Sequence, residues 1–162
     1  MDYRDEVLWN QLFDVRQYTL QIVENISESM IDIIPAGHHN SIRWNIGHII
    51  YDQDVWFHHF MKDDMDVPGY YRHFFDFGTS PCTWKQEPPA WRELVEELRI
   101  QPHRLKKKFA GRLDEPLQTT TELGMGKLGE VIPRTLYHEW YHLGVIQSIK
   151  RFADSRPEDG VK

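Results

Sequence analysis

The stretch Leu136-Tyr-His-Glu-Trp-Tyr-His-Leu-Gly144 sets His138, Glu139 and His142 in the pattern H-E-x-x-H. Its reading decides whether the chain is a small zinc protease or a helical protein that uses the same spacing for another metal chemistry. Residues four apart on a helix lie one above the other, so His138 and His142 present two imidazoles on one face. Val131, Thr135, Val145 and Ile149 share that face, which predicts that the pair points inward. Two neutral bases buried side by side are poorly satisfied without a metal or an acid, so metal ligation and a hydrogen-bonded core pair stand as the two readings.

Around this motif a last helix is expected from about Leu128 to Phe152, bent near its start by Pro133. Upstream, Leu8, Leu12, Val15, Ile22 and Ile26 recur at steps of three and four, which predicts a first helix from Tyr3 to about Ser29. A second helix starts with Ser41 as N-cap and runs to about Lys62. One of its rows holds Ile42, Ile46, Ile49, Trp56 and Phe60, and the adjoining row holds Trp44, His48, Tyr51, Val55 and His59. After Pro88-Pro89 a third helix buries Trp91, Leu94, Leu98, Leu105 and Phe109, and Pro102 inside it is expected to kink or divide it. No strand pattern and no repeat is found. The fold class is therefore all-α, a four-helix bundle with long connections between the second and third helices and between the third and fourth. A single domain is expected over residues 1–155, with a polar tail at 156–162.

The connection over residues 68–84 holds six aromatic residues from Tyr70 to Trp84. A connection of that length is uncommon in a compact domain, and its rings predict that it packs down as the lid of a pocket. It also contains Cys82, the one cysteine, expected to be an ordinary packed thiol because no His or Lys stands beside it in sequence. Tyr51, Trp56 and Trp140 are expected in the core.

Composition narrows the function. The net charge is −6 and the lone basic run, Lys106-Lys107-Lys108, falls at a helix C-terminus where the macrodipole favours it, so nucleic acid is not an expected partner. A single cysteine makes no internal disulfide. The opening MDYRDEVLWNQ is charged within its first six residues and lacks an apolar h-region, and no apolar run reaches the length of a membrane span. A cytoplasmic protein is expected.

A protease of the zincin type needs a third ligand beyond the H-E-x-x-H helix and a sheet edge for the peptide. Only twenty residues follow His142, no strand is predicted, and the longer H-E-x-x-H-x-x-G-x-x-H form fails because the glycine is Gly144 and position 148 is serine. Glu158 lies in the Pro/Gly/Asp tail, an unsuitable place for a fixed ligand. A zinc hydrolase thus ranks third among the readings. His48, in a mainly apolar row of the second helix, can meet the His138/His142 pair if the two helices pack at the usual distance; the alternative for a single inward His is a hydrogen-bonded core residue. Asp52, one turn beyond His48, either orients a ligand through its second nitrogen or faces water. Glu139 is displaced by about 100° from His138 on a regular helix, so it need not point at a metal.

The combination W-N-x-G-H-I at Trp44 to Ile49 with H-E-x-x-H-x-G at His138 to Gly144, about ninety residues later, resembles the DinB/YfiT-like family of four-helix metalloproteins. The resemblance spans nearly the whole chain. It implies that His48, His138 and His142 bind one divalent metal, with Asp52 and Glu139 as candidates for the surrounding shell. Zinc or nickel comes first among the ions, and iron, manganese or copper follow. Val145 departs from the family, where Gln often follows the glycine. Several members are thiol-dependent transferases or isomerases using bacillithiol, mycothiol or glutathione. The expectation from that resemblance is a metal-dependent S-transferase acting on a small-molecule thiol and an electrophile, and a homodimer suits the architecture. The alternative is a non-catalytic metal-binding or stress-response module whose ion only fastens the helices.

Overall fold

The computed structural model describes residues 3–119 and 121–154. Among these residues five α-helices follow one another: α1 (Tyr3–Glu24), α2 (Ile42–His58), α3 (Tyr71–Phe75), α4 (Trp91–Phe109) and α5 (Val131–Asp154). The four long ones are those expected from the periodicity; α3 is a single short helix inside the aromatic connection. α2 packs on α5, α3 and α4, and α1 packs on α5 and α4. No strand occurs among the described residues, where one isolated bridge joins Pro116 and Lys127. Among these residues, too, no helix is long and apolar enough to cross a membrane. The polar tail at 156–162 lies outside the described residues.

Local chemistry sets the helix ends. Ser41 caps α2, its hydroxyl accepting from Trp44 N–H at 3.2 Å. α1 stops at Glu24 rather than near Ser29. Asn25 donates its side-chain amide to Gln21 O (2.7 Å), and the next turn tightens through bonds from Asn25 N–H to Ile22 O and from Ile26 N–H to Val23 O. The regular part of α2 gives way to a 3-10 turn over His59–Met61, and Lys62 closes it with φ 56°.

Pro102 neither kinks α4 into two helices nor ends it: Trp91–Phe109 is one element. A proline removes the N–H that would have served the carbonyl four residues earlier, here that of Leu98. Leu98 O instead accepts from Arg16 Nη1 at 2.7 Å. Pro133 is likewise accommodated, since it stands in the first turn of α5, where backbone N–H groups need no helical partner.

Arg16 is fully buried and reaches the other three long helices from its place on α1. Its guanidinium donates to Glu139 on α5 (Nε to Oε1, 3.0 Å), to Gln53 on α2 (2.8 Å) and to Gln101 and Leu98 O on α4. Gln101 in turn donates to Ile50 O (2.7 Å), and Thr19 donates to Glu139 Oε1. This polar layer divides the core. On one side lie Leu20, Ile50, Leu98 and Leu143 with the α3 rings; on the other lie Trp9, Phe57, Leu105 and Ile132.

The aromatic connection is not a lid as a whole. Tyr71, Phe74 and Phe75 are core residues, whereas Tyr70 and Phe77 stand exposed. Cys82 is exposed rather than packed. Tyr51 is buried and Trp56 half-buried, but Trp140, expected in the core, lies on the surface against Tyr18, with ring centroids 5.1 Å apart.

Removing Arg16 leaves the Glu139 carboxylate buried without its cation. Arg16→Met should therefore cost about 3–5 kcal/mol in urea denaturation, and the double variant Arg16→Met/Glu139→Leu should recover most of that loss. A double variant no more stable than the single one would show that the ion pair is not the source of the penalty.

Candidate metal centre

Three imidazoles from two helices meet between α2 and α5. The ring centroids of His48, His138 and His142 form a nearly equilateral triangle with sides of 5.0, 4.8 and 4.6 Å. Each offers one nitrogen, and these nitrogens lie within 4.8 Å of one another. The structure thus brings together all three histidines singled out in the sequence.

What each ring does with its other nitrogen fixes its tautomer. His48 Nδ1 lies 2.7 Å from Phe75 O, and a carbonyl only accepts, so Nδ1 carries the hydrogen. His142 Nδ1 lies 2.7 Å from Asn45 Oδ1. The orientation of that amide is set independently, because Asn45 Nδ2 donates to Ser41 O at 2.8 Å. His138 Nδ1 lies 3.2 Å from the Asp52 carboxylate, which both Arg134 Nη atoms also engage. His48 and His142 therefore donate from Nδ1 to an oxygen and keep Nε2 as a lone pair, while His138 sets its Nδ1 beside a carboxylate oxygen. That is the arrangement of metal-ligating histidines, whose second nitrogen is held by an oxygen acceptor.

The motif W-N-x-G-H now has a residue-level account. Trp44 stacks on His48 with centroids 4.6 Å apart and 14° between planes. Asn45 orients His142. Gly47 admits the Phe75 ring, since a Cβ there would come within 2.3 Å of it, and that approach lets Phe75 O reach His48. Gly144 has open space where its Cβ would be, so sterics do not account for the glycine of the second motif. Arg134 stacks over Trp56, its guanidinium 4.2 Å from the ring centroid. Asn45 and Arg134 escaped the sequence reading. Their signal was a place on the same helix face as a histidine, Asn45 three residues before His48 and Arg134 four before His138.

Asp52 does not face solvent; its carboxylate accepts from Arg134 and lies beside His138 Nδ1. Glu139 is not part of the shell around the triad; it is turned to Arg16 and Thr19, away from the three Nε2 atoms. Burial pushes the Asp52 carboxyl above its ordinary range and Arg134 pulls it back. Burial also lowers all three imidazoles: His48 falls below its usual value, His138 falls to about 3 and His142 to about 2, with Arg134 and the neighbouring rings adding to the last two. The triad is neutral at physiological pH, the state in which imidazole takes a cation.

Above it opens a cleft of about 830 Å³. Asp52, Arg134 and the three histidines line it together with Trp44, Trp56, Phe77, Tyr141 and Val145. Three neutral nitrogens, with no fourth ligand atom in the group among the described residues, fit an ion with positions left for a guest, as in catalytic rather than closed structural sites.

A second group, Asp54, His58 and Asp66, also clusters its oxygens and nitrogens. Here His58 donates from Nδ1 to Asp54 O (2.9 Å) and sets Nε2 3.3 Å from Asp66, which Arg104 and Lys108 already approach at 3.3 and 3.4 Å. Two cations already serve this carboxylate. With Asp54 Oδ2 accepting the N–H groups of Asp66 and Val67, the group ties the end of α2 to the following loop.

The lowered imidazoles make the metal-free protein acid-sensitive. As pH falls through about 6.5 the unfolded chain binds protons on these histidines, while the folded chain does not until far lower pH. The unfolded state then carries more protons and stability falls with falling pH. Thermal melts of chelator-treated protein should decline between about pH 6.5 and 4, less steeply in His142→Leu; identical slopes in the two proteins would contradict the neutral triad.

Relatives agree with this architecture. The family profile described as the DinB superfamily matches residues 11–146. No curated protein matches the chain. A crystal structure of a protein from Enterococcus faecalis, described as the conserved protein of its locus, superposes with a TM-score of 0.67 at 11 % identity. It covers 96 % of this chain and 99 % of its own, a likeness of fold alone. The profile match takes in both the W-N-x-G-H motif of α2 and the H-E-x-x-H helix, and on that ground the chain belongs to the DinB superfamily.

Proposed function

We propose that the chain is a divalent-metal-dependent enzyme that activates a low-molecular-weight thiol, such as bacillithiol, mycothiol or glutathione, for transfer to an electrophilic small molecule. The observation that carries this reading is the convergence of one ring nitrogen each from His48, His138 and His142, within 4.8 Å of one another, in the wall of an open cleft. These three residues would hold the ion, and imidazole donors suit zinc or nickel first. Because neutral ligands leave its double charge intact, such an ion supplies the field that lowers the pKa of a thiol or water entering the cleft.

The chain's own residues supply the rest. Asp52, held by Arg134, keeps the His138 ring in register, and Asn45 does the same for His142. Trp44 covers one face of His48 and excludes water from it. No protein thiol lines the cleft, since Cys82 is not among its walls, so the sulfur nucleophile must come with a cosubstrate. The glutamate of H-E-x-x-H is committed to Arg16, which argues against a zinc hydrolase. A purely structural ion would need no cleft of small-molecule size above it, and this favours turnover over the non-catalytic reading.

Elemental analysis should find one divalent ion per native chain and none retained by His48→Ala; unchanged metal in the variant would remove His48 from the site. Asn45→Leu, which frees His142 Nδ1, should weaken metal binding roughly 10–100-fold in competition with a chromogenic chelator. Metal-loaded protein should consume a common bacterial thiol in the presence of one of a panel of electrophiles. No consumption with any pairing would overturn the transferase reading while leaving the metal result intact.

A further inference from the structure

Phe77 is 90 % exposed, on a turn whose backbone is anchored. Thr79 N–H donates to Asp76 O at 3.1 Å, closing a turn in which Gly78 takes φ 82°, the value that the third residue of a type II turn requires. Phe77 N–H donates to Asp76 Oδ1 (2.8 Å), and the Thr79 hydroxyl donates to Phe74 O (2.7 Å) while accepting from Trp44 Nε1 (2.9 Å). The turn is thereby anchored to the residues that set His48: Trp44 stacks on its ring, and Phe75 O takes its Nδ1 hydrogen. From α5, Tyr141 lines the same cleft at 67 % exposure, its ring edge-on to His142 with centroids 5.1 Å apart. Val145, with Trp44 and Trp56, adds to the apolar wall.

The cleft therefore joins a polar floor to rings left in water on rigid supports. Apolar surface presented in that way lowers its free energy when a ligand covers it, and an anchored backbone leaves only the side-chain torsions to be ordered. The volume suits a small molecule. Resting on the metal-and-thiol reading of this cleft, we propose that its electrophilic substrate carries an aromatic or similarly flat apolar group, recognised by Phe77 and Tyr141.

The test uses two thioethers that mimic products, S-benzyl-N-acetylcysteine and S-methyl-N-acetylcysteine, titrated calorimetrically into metal-loaded protein. The benzyl compound should bind at least about ten-fold more tightly. Phe77→Ser and Tyr141→Ser should each cut that preference several-fold at unchanged metal content. Equal affinity for the two compounds in the native protein, or a preference that survives both substitutions, would overturn the proposal. So would size-exclusion data in which Phe77→Ser turns a dimer into a monomer, for the ring would then be covered by a second copy. The readout is heat of binding rather than turnover. A failure to consume thiol would thus sink the transferase reading alone, and a lost benzyl preference with thiol turnover intact would sink this inference alone.

Discussion

One buried guanidinium organises the bundle. Arg16 is out of water, so all of its N–H groups must find acceptors inside the protein, and those acceptors come from the other three long helices. A charge in that position tolerates little sliding of one helix past another. Its contacts convert a non-directional apolar core, which many registers would satisfy, into one with a single register. The carbonyl left free by Pro102 is part of the same arrangement, so a residue that ordinarily interrupts a helix here supplies an acceptor for the arginine.

The same constraint explains how α5 can carry a candidate metal face and a structural ion pair one residue apart. Glu139 turned into the Arg16 layer requires His138 and His142 to face α2, where His48 waits. The helix is thus rotated about its axis by its acid, and the histidines follow. In a protease the acid of this motif faces the reaction; here it faces the core, and that rotation separates two chemistries written with the same letters.

Much of this was legible in the sequence, for physical reasons. Period-3.6 apolar rows announce the four long helices because burial selects one face of each. The histidine spacing announced the cluster because residues four apart must share a face. Asp52 was visible as a candidate but left undecided, since one helix turn from His48 does not reveal which ring across the interface it will meet. The α3 helix and the early stop of α1 were hidden because both depend on short-range hydrogen bonds and on packing against distant residues. Arg16, a lone basic residue in an apolar stripe, was not read at all, and neither was its tie to Glu139, because partners 123 positions apart are matched only by the fold. Trp140 shows the opposite error: a large ring at helical spacing need not be inside.

The three supports of the histidines are chemically unlike. One is a carboxylate, one is a side-chain amide, and the last is a main-chain carbonyl from a segment far along the chain. Altering side chains can silence the first two but cannot delete the third, which any residue at position 75 would still provide as long as the peptide keeps its path. A survey of point changes at the three acceptors would therefore register two legs of this tripod and overlook the remaining one, whose integrity resides in how the segment from α3 to Thr79 is routed, with Gly47 making room for it.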